Sequence, residues 1–227
     1  MGGGSYITVS GSGGGGGSGS GGPNNTTSLQ DITNNLTTPC FSSVFNSLNT
    51  GGLKNEITNI FRNTFNVTDL INYTVQEAAT LSDNTICAQT RPQINKTSTT
   101  PTVTFYNITT TLNDSKLKTA SKEYIAETMF HEILHGYLEV NTNLKTEMEQ
   151  HCEMIESYVY CEITALQELF PNLSTHDATC LILGGFSQIQ EYDQTTLNTL
   201  LSNYGLTLND VVNTNNSYES GSKGTHC

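Results

Sequence analysis

The sequence is poor in basic residues, and this shortage limits the partners that it can have. It contains 9 Lys and Arg residues against 21 Asp and Glu residues, which gives a formal net charge of -12. Contacts with nucleic-acid phosphates and adsorption to anionic membranes both depend on a basic surface. We therefore expect no nucleic-acid partner and no attachment to a membrane surface.

Long apolar segments are also missing. No run approaches the roughly 20 apolar residues that a transmembrane helix needs. The first residues lack the charged region followed by an apolar region that is typical of a signal peptide. The sequence therefore predicts neither a membrane span nor a signal peptide, and export would require a longer parent chain or another route.

The six cysteines include no C-x-x-C pair, which argues against a zinc ribbon. Cys40 and Cys87 each border a polar segment and are the better candidates for a disulfide. Cys152, Cys161 and Cys180 lie among apolar residues at helical spacing and are expected to be buried small hydrophobic residues.

Composition divides the chain into three parts. Residues 1–28 are dominated by Gly and Ser in their first two thirds and are predicted to be a flexible linker. Residues 29–212 alternate apolar and polar positions and are predicted to form one domain. Residues 213–227 are polar, and we expect a loose tail.

Periodicity within the domain predicts an α+β fold, mostly helical with a small antiparallel sheet. Alternating residues indicate strands at 71–75 and 103–112, with a polar loop over 86–102. Ser121 is suited to cap a helix that runs to about Val140. Apolar residues three and four apart predict one longer helix from about Leu144 to Phe170, which Pro171 ends.

The segment His131-Glu132-Ile133-Leu134-His135 falls in the helix that begins after Ser121. Two histidines four residues apart lie on one helical face, where both imidazoles can bind one Zn²⁺. Glu132 is predicted to be the general base that takes a proton from a metal-activated water during hydrolysis. The five-residue segment 131–135 therefore supplies two metal ligands and a general base.

A catalytic zinc ion needs a third protein ligand. His151 is the leading candidate, because the fifteen residues after His135 suffice to end one helix, turn and return antiparallel. The site would then lie between two consecutive helices. Glu147 and Glu153 are the carboxylate alternatives, with Glu156 a weaker one, and Cys152 is a thiolate alternative.

The region around these residues resembles a known family. Residues 120–138, with His131, Glu132 and His135 inside them, resemble the metal helix of SprT-like and related uncharacterised bacterial HExxH proteins. The segments 151–159 and 183–186 resemble two further segments of that group. The resemblance covers about residues 100–190. It implies zinc on His131, His135 and His151, with Glu132 as the base, in a minimal zincin-like metallopeptidase domain that we assign to residues 29–212.

The chain departs from that pattern at two positions. Gly136 stands where Ala is expected, and Cys152 stands where Glu is frequent. The DNA-repair role of some SprT-like proteins is not carried over, because this chain is acidic and has no zinc ribbon.

Several functions are compatible with these residues. The leading one is a zinc-dependent peptidase acting on a peptide or protein. The Gly/Ser-rich linker favours a place as the C-terminal effector domain of a larger protein. An extended substrate can pair with an edge strand at such sites, and the strand at 103–112 precedes the metal helix. The alternatives are an amidase acting on a non-protein substrate and a non-catalytic binding module with a vestigial metal site.

Overall fold

The computed structural model describes residues 32–49, 53, 55–65, 70–144, 146–186 and 194–227. The predicted linker over residues 1–28 lies outside these residues. Within them the fold is mixed α/β, with nine helices and a four-stranded sheet. The strands are β1 (Ile32–Asn34), β2 (Ile71–Ala78), β3 (Ala88–Lys96) and β4 (Thr104–Asn113). The helices are α1 (Pro39–Asn49), α2 (Glu56–Phe65), α3 (Asp114–Leu117), α4 (Lys122–Asn141), α5 (Glu147–Ser157), α6 (Val159–Leu169), α7 (Thr175–Gly184), α8 (Gln194–Asn203) and α9 (Leu208–Glu219).

The sheet is mixed, so the prediction of an antiparallel sheet is wrong. Its strand order is β1-β2-β4-β3; β1, β2 and β4 run parallel, and only β3 is antiparallel to its neighbour. Helices α1 and α2 connect β1 to β2, and such crossovers allow parallel pairing. β3 lies between β2 and β4 in sequence and returns the chain, so that β4 also runs parallel to β2. β4 is therefore an inner strand, and β3 is the edge strand of the described sheet.

One face of the sheet packs on the helices through alternate residues of β2 and β4. Tyr73 is 1 % exposed and lies at the centre of an aromatic cluster. Its ring centroid is 5.1 Å from that of Phe61 and 4.8 Å from that of Phe65. Edge-on and tilted ring contacts at these distances add to the free energy gained by burying the apolar area.

Helix α4 lies directly on this cluster, and Gly136 makes the close approach possible. A β-carbon at Gly136 would lie 3.0 Å from Cγ2 of Ile108 and 3.3 Å from Cζ of Phe65. Packing therefore explains why Gly136 stands where alanine is expected. α4, which carries the HExxH residues, lies so close to the sheet that a larger residue would crowd its neighbours.

The single long helix predicted for 144–170 is two helices. α5 ends and α6 begins at Tyr158, whose φ of -121° and ψ of -16° depart from helical values. The bend lets α5 pack against α4 while α6 packs against α2 and α7. Neither Pro nor Gly marks the bend, so the apolar spacing runs through it and predicts a continuous helix.

The polar end of the chain is more ordered than the sequence predicts. Residues 208–219 form α9, which begins with a reciprocal capping box between Thr207 and Asp210. Beyond it, the Thr225 amide donates to Glu123 in the first turn of α4 at 2.8 Å. Val211 and Tyr218 are buried, and their burial holds α9 against the rest of the domain.

A disulfide joins Cys40, in the first turn of α1, to Cys227, with a Cα–Cα distance of 5.3 Å. Cys87 is a free thiol, so the expectation of a disulfide is met at Cys40 and not at Cys87. Among the cysteines expected to be buried, Cys180 is buried, Cys161 is half-buried and Cys152 is exposed. In the described part of the chain, no helix has both the length and the apolar content needed to cross a bilayer.

Glu77 links the sheet to the start of α1. Its carboxylate accepts hydrogen bonds from the Thr38 amide at 3.0 and 3.2 Å, from the Thr38 hydroxyl at 3.1 Å and from the Thr37 hydroxyl. Burial acts to raise the pKa of Glu77, but these hydrogen bonds outweigh it and hold the pKa below its usual 4.5. A carboxyl group whose pKa is lowered on folding stabilises the fold above its unfolded-state pKa and loses this effect as the pH falls through the folded-state pKa.

We predict that Glu77→Gln lowers the free energy of unfolding at pH 7 by about 1 kcal/mol, the usual size of a helix cap at a partly exposed site. The difference from the parent protein should shrink as the pH falls below 4.5. Urea unfolding at pH 7 and pH 3 measures this difference in the free energy of unfolding. Glu156→Gln on the exposed side of α5 is the control. An equal difference at both pH values would contradict the capping role.

Candidate metal site

Helix α4 holds His131, Glu132 and His135 on a rigid, buried element. It begins where the Ser121 side chain accepts a hydrogen bond from the Tyr124 amide, as the sequence predicts. It then continues through Asn141 and packs against helices on several sides and against β3. Because α4 is packed along its length, its side chains have little freedom to move apart.

Helix α5 brings His151 to the same place. Its start is fixed by a capping box in which the Thr146 hydroxyl and the Glu149 carboxylate each accept from the other's backbone amide. The chain between α4 and α5 is short, so α5 folds back on α4. His151 is 5 % exposed and points at the two histidines of α4.

The three Nε2 atoms form an equilateral triangle. Those of His131, His135 and His151 are each 3.1 Å from the other two. Nitrogens bound to one Zn²⁺ at about 2.0–2.1 Å with tetrahedral angles lie about 3.3–3.4 Å apart. The observed triangle is close to that spacing, and the buried triad can hold a metal ion.

Hydrogen bonding presets one histidine for binding a metal. Nδ1 of His135 is 2.6 Å from Oε1 of Gln150, while Nε2 of Gln150 donates to the Leu144 carbonyl at 3.0 Å. The amide oxygen therefore faces His135 and accepts the proton of Nδ1. This places the lone pair of His135 on Nε2, the atom that faces the other two histidines.

Burial keeps the other two histidines neutral, which is the form that binds a metal. It lowers the pKa of His151 to about 4, with a smaller contribution from His135. The pKa of His131 is also held well below its usual value, first by burial and then by the two other histidines.

Nδ1 of His131 is buried and has no hydrogen-bond partner among the described residues. It lies beside Glu127 under Gly185, since a β-carbon on this glycine would be 3.2 Å from Nδ1 and 2.8 Å from Oε1 of Glu127. The ring of Phe186 packs 5.4 Å from that of His131. The segment that follows α7 therefore closes one side of the triad.

Glu132 lies next to the triad and is not part of it. It is 7 % exposed, and its Oε2 has no hydrogen-bond partner within the described residues. Burial raises the pKa of Glu132, while the neighbouring His135 and hydrogen bonds from the side chain and backbone of Thr90 oppose the rise. The Thr90 hydroxyl also donates to the Glu132 carbonyl at 3.1 Å, which ties β3 to α4.

These residues share a cleft of about 400 Å³, which we call the histidine cleft. Residues 85–88, at the start of β3, and Gly184 and Gly185, at the end of α7, form parts of its wall. Tyr124, Asn215 and the exposed Glu147 complete the lining. The cleft gives a ligand access to the triad between a sheet edge and a helix end.

The alternative ligands lie elsewhere. Glu147 lines the cleft but does not belong to the group whose ligand atoms lie within 4.8 Å of one another. Glu153 accepts a hydrogen bond from Ser157 at 2.8 Å, and Cys152 and Glu156 are exposed. His151 is the residue that the fold brings to the other two.

Two tyrosines and the two remaining histidines are also away from the triad. The rings of Tyr137 and Tyr158 pack edge to face on each other at 6.1 Å and do not line the cleft. His176 is exposed on α7, and His226 is exposed near the last residue.

Sequence reasoning missed four residues of the site: Thr90, Gln150, Glu127 and Asn215. Thr90 could not be assigned because β3 was predicted as loop. Gln150 had a usable signal, since it precedes His151 in a helix that must face His135.

Comparison of the chain with protein families, with curated proteins and with solved structures gave no match. The arguments about this site therefore depend on its own residues and geometry.

We predict that Gln150→Leu lowers the affinity for a divalent metal ion by about 10- to 100-fold, the usual effect of losing a hydrogen bond to a ligating histidine. One ion per chain should still bind at saturation, because the three histidines remain. Competition with a chromogenic chelator measures the affinity, and His176→Ala, outside the cleft, is the control. Unchanged affinity in Gln150→Leu would show that the amide does not orient His135.

Proposed function

We propose that this protein is a zinc-dependent metallopeptidase that hydrolyses peptide bonds in a peptide or protein substrate. The observation that carries the proposal is the juxtaposition of a three-histidine triangle with a buried carboxylate. Nε2 atoms 3.1 Å apart match a ligand set, and Oε2 of Glu132 lies beside them without a partner within the described residues. Three nitrogen ligands leave one position open, as in catalytic zinc sites.

His131, His135 and His151 would hold the ion. When bound, zinc would polarise the substrate carbonyl and lower the pKa of a coordinated water. The choice of zinc follows from the donor set, since imidazole nitrogens favour zinc over the oxygen-preferring magnesium and calcium. The match to a minimal zincin, suggested by the HExxH segment, is part of the same proposal.

Glu132 would act as general acid and base. Its unpartnered Oε2 would accept a proton from the attacking water and deliver that proton to the leaving nitrogen. Thr90 would hold the other side of the residue, because its hydroxyl bonds the Glu132 carbonyl and fixes β3 to the helix. This arrangement confines the carboxylate to the cleft.

The edge strand β3 would bind the substrate backbone. Ala88 lines the histidine cleft, and Ala88, Gln89 and Thr90 line an adjoining groove that also contains Glu132 and His135. Among the described strands only β4 pairs with β3, so the other edge of β3 is available for an extended peptide. The Cys40–Cys227 disulfide is typical of oxidising compartments and supports action outside the reducing cytosol.

We predict that Glu132→Gln lowers peptide hydrolysis by at least about a hundredfold, the lower range for loss of a general base. Zinc content should remain at one ion per chain, because the three ligands are unchanged. Hydrolysis of a fluorogenic peptide library by the zinc-loaded protein measures the rate, and Glu153→Gln, held by Ser157 away from the cleft, is the matched control.

Full activity of Glu132→Gln on a substrate that the parent protein cleaves would contradict the mechanism. Zinc bound at one per chain with no cleavage of any peptide would favour the non-protein amidase or the non-catalytic module.

A further inference from the structure

A second cavity opens beside the histidine cleft, and its lining is mostly aliphatic, with Asn215 and Asn216 as its polar members. It has a volume of about 190 Å³. Helices α7, α8 and α9 supply six aliphatic side chains to it: Leu183, Leu197, Leu201, Leu208, Val211 and Val212. We call it the aliphatic pocket. Two of its members, Leu208 and Val212, are 37 % and 43 % exposed, so its rim is open.

The aliphatic pocket adjoins the histidine cleft through shared walls. Tyr124, Gly184 and Asn215 line both cavities. The two cavities therefore adjoin at these three residues, and a ligand that fills the cleft lies next to the pocket.

The shared wall is fixed in place. Nδ2 of Asn215 donates to the carbonyls of Cys180 at 2.6 Å and Val211 at 3.0 Å, which holds its side chain between α7 and α9. A β-carbon at Gly184 would lie 2.2 Å from Nδ2 of Asn215, so only glycine leaves room for this amide. A larger residue at Gly184 would displace Asn215 and change the boundary between the two cavities.

The volume of the aliphatic pocket limits the groups that can bind in it. An engineered cavity of about 150 Å³ lined by Leu, Ile and Phe binds benzene. A pocket of 190 Å³ with a similar lining accommodates one aromatic ring or one branched aliphatic side chain. It is too small for a helix of a partner protein, and its continuity with the cleft favours a group that is already held at the triad.

We propose that the aliphatic pocket is the specificity subsite of the enzyme and that it takes a large apolar side chain of the peptide substrate. This inference rests on the proposed peptidase function. Val211 is its specificity-determining residue, because it is 5 % exposed, lines the pocket and contributes the carbonyl that fixes Asn215.

The test uses the full chain loaded with zinc and two hydroxamates, which differ only in carrying a benzyl or a methyl group. Calorimetry should give a dissociation constant at least about tenfold lower for the benzyl compound, the lower range for filling an apolar pocket. Val211→Phe, which fills the pocket, should bring the two constants within about twofold of each other. Val211→Ala should keep the benzyl preference and gain affinity for a naphthylmethyl compound.

Val44→Ala, at a buried valine of α1, is the matched control and should keep the parent ratio. Zinc content and melting temperature show whether each variant is folded. If Val211→Phe does not fold, the affinity of Val211→Ala for the naphthylmethyl compound tests the subsite instead. Equal affinity of the parent protein for the benzyl and methyl compounds would overturn the subsite alone. Binding of neither compound, together with no peptide cleavage, would overturn the peptidase function itself.

Discussion

The structure depends on a constraint imposed by three imidazoles that point at one another. A neutral imidazole carries one proton, and at most one of three converging nitrogens can donate to the others. The proton of His135 lies on Nδ1, against Gln150, so its Nε2 contributes a lone pair to the triangle. Lone pairs 3.1 Å apart repel one another, so a proton or a metal ion among the three nitrogens would stabilise the triangle.

Buried acidic side chains around the triad also favour the binding of a cation. Glu127, Glu132 and Glu162 are buried, and the described residues give none of them a lysine or arginine partner. Burial raises the pKa of Glu162 to about 8, and burial, with a smaller contribution from the neighbouring Glu162, raises the pKa of Glu127 well above its usual value. Buried acidic groups without a counter-ion are costly, and a divalent cation bound at the neighbouring histidines would offset that cost.

Local sequence rules were enough for the parts of the site that lie on one helix. The spacing of His131 and His135 and the cap at Ser121 specify a helix that presents both rings on one face. Chain length and the core-facing side of the helix favoured His151 as the third ligand, but they left Glu147, Glu153 and Cys152 open as alternatives. The capping pattern of Thr207 and Asp210, with Val211 and Tyr218 seven residues apart, was also readable, and it was overlooked because the segment is polar.

The remaining features depend on tertiary contacts that no local pattern encodes. β3 is an edge strand whose residues are exposed after Thr90, so it lacks the apolar alternation of a half-buried strand and reads as loop. The bend at Tyr158 contains no Pro or Gly that would indicate a helix end in the sequence. Gly136 departs from the best helix former because Ile108 and Phe65, distant in sequence, occupy the space that a β-carbon would need.

X-ray absorption at the zinc edge tests the central claim most directly, because it reports the ligands of the ion without relying on activity. The account predicts three imidazole nitrogens at about 2.0–2.1 Å and one further light atom, a four-coordinate catalytic set. Substitution of His151 by Ala should reduce the imidazole contribution from three rings to two. A sulfur ligand at about 2.3 Å, or a spectrum unchanged by that substitution, would contradict it.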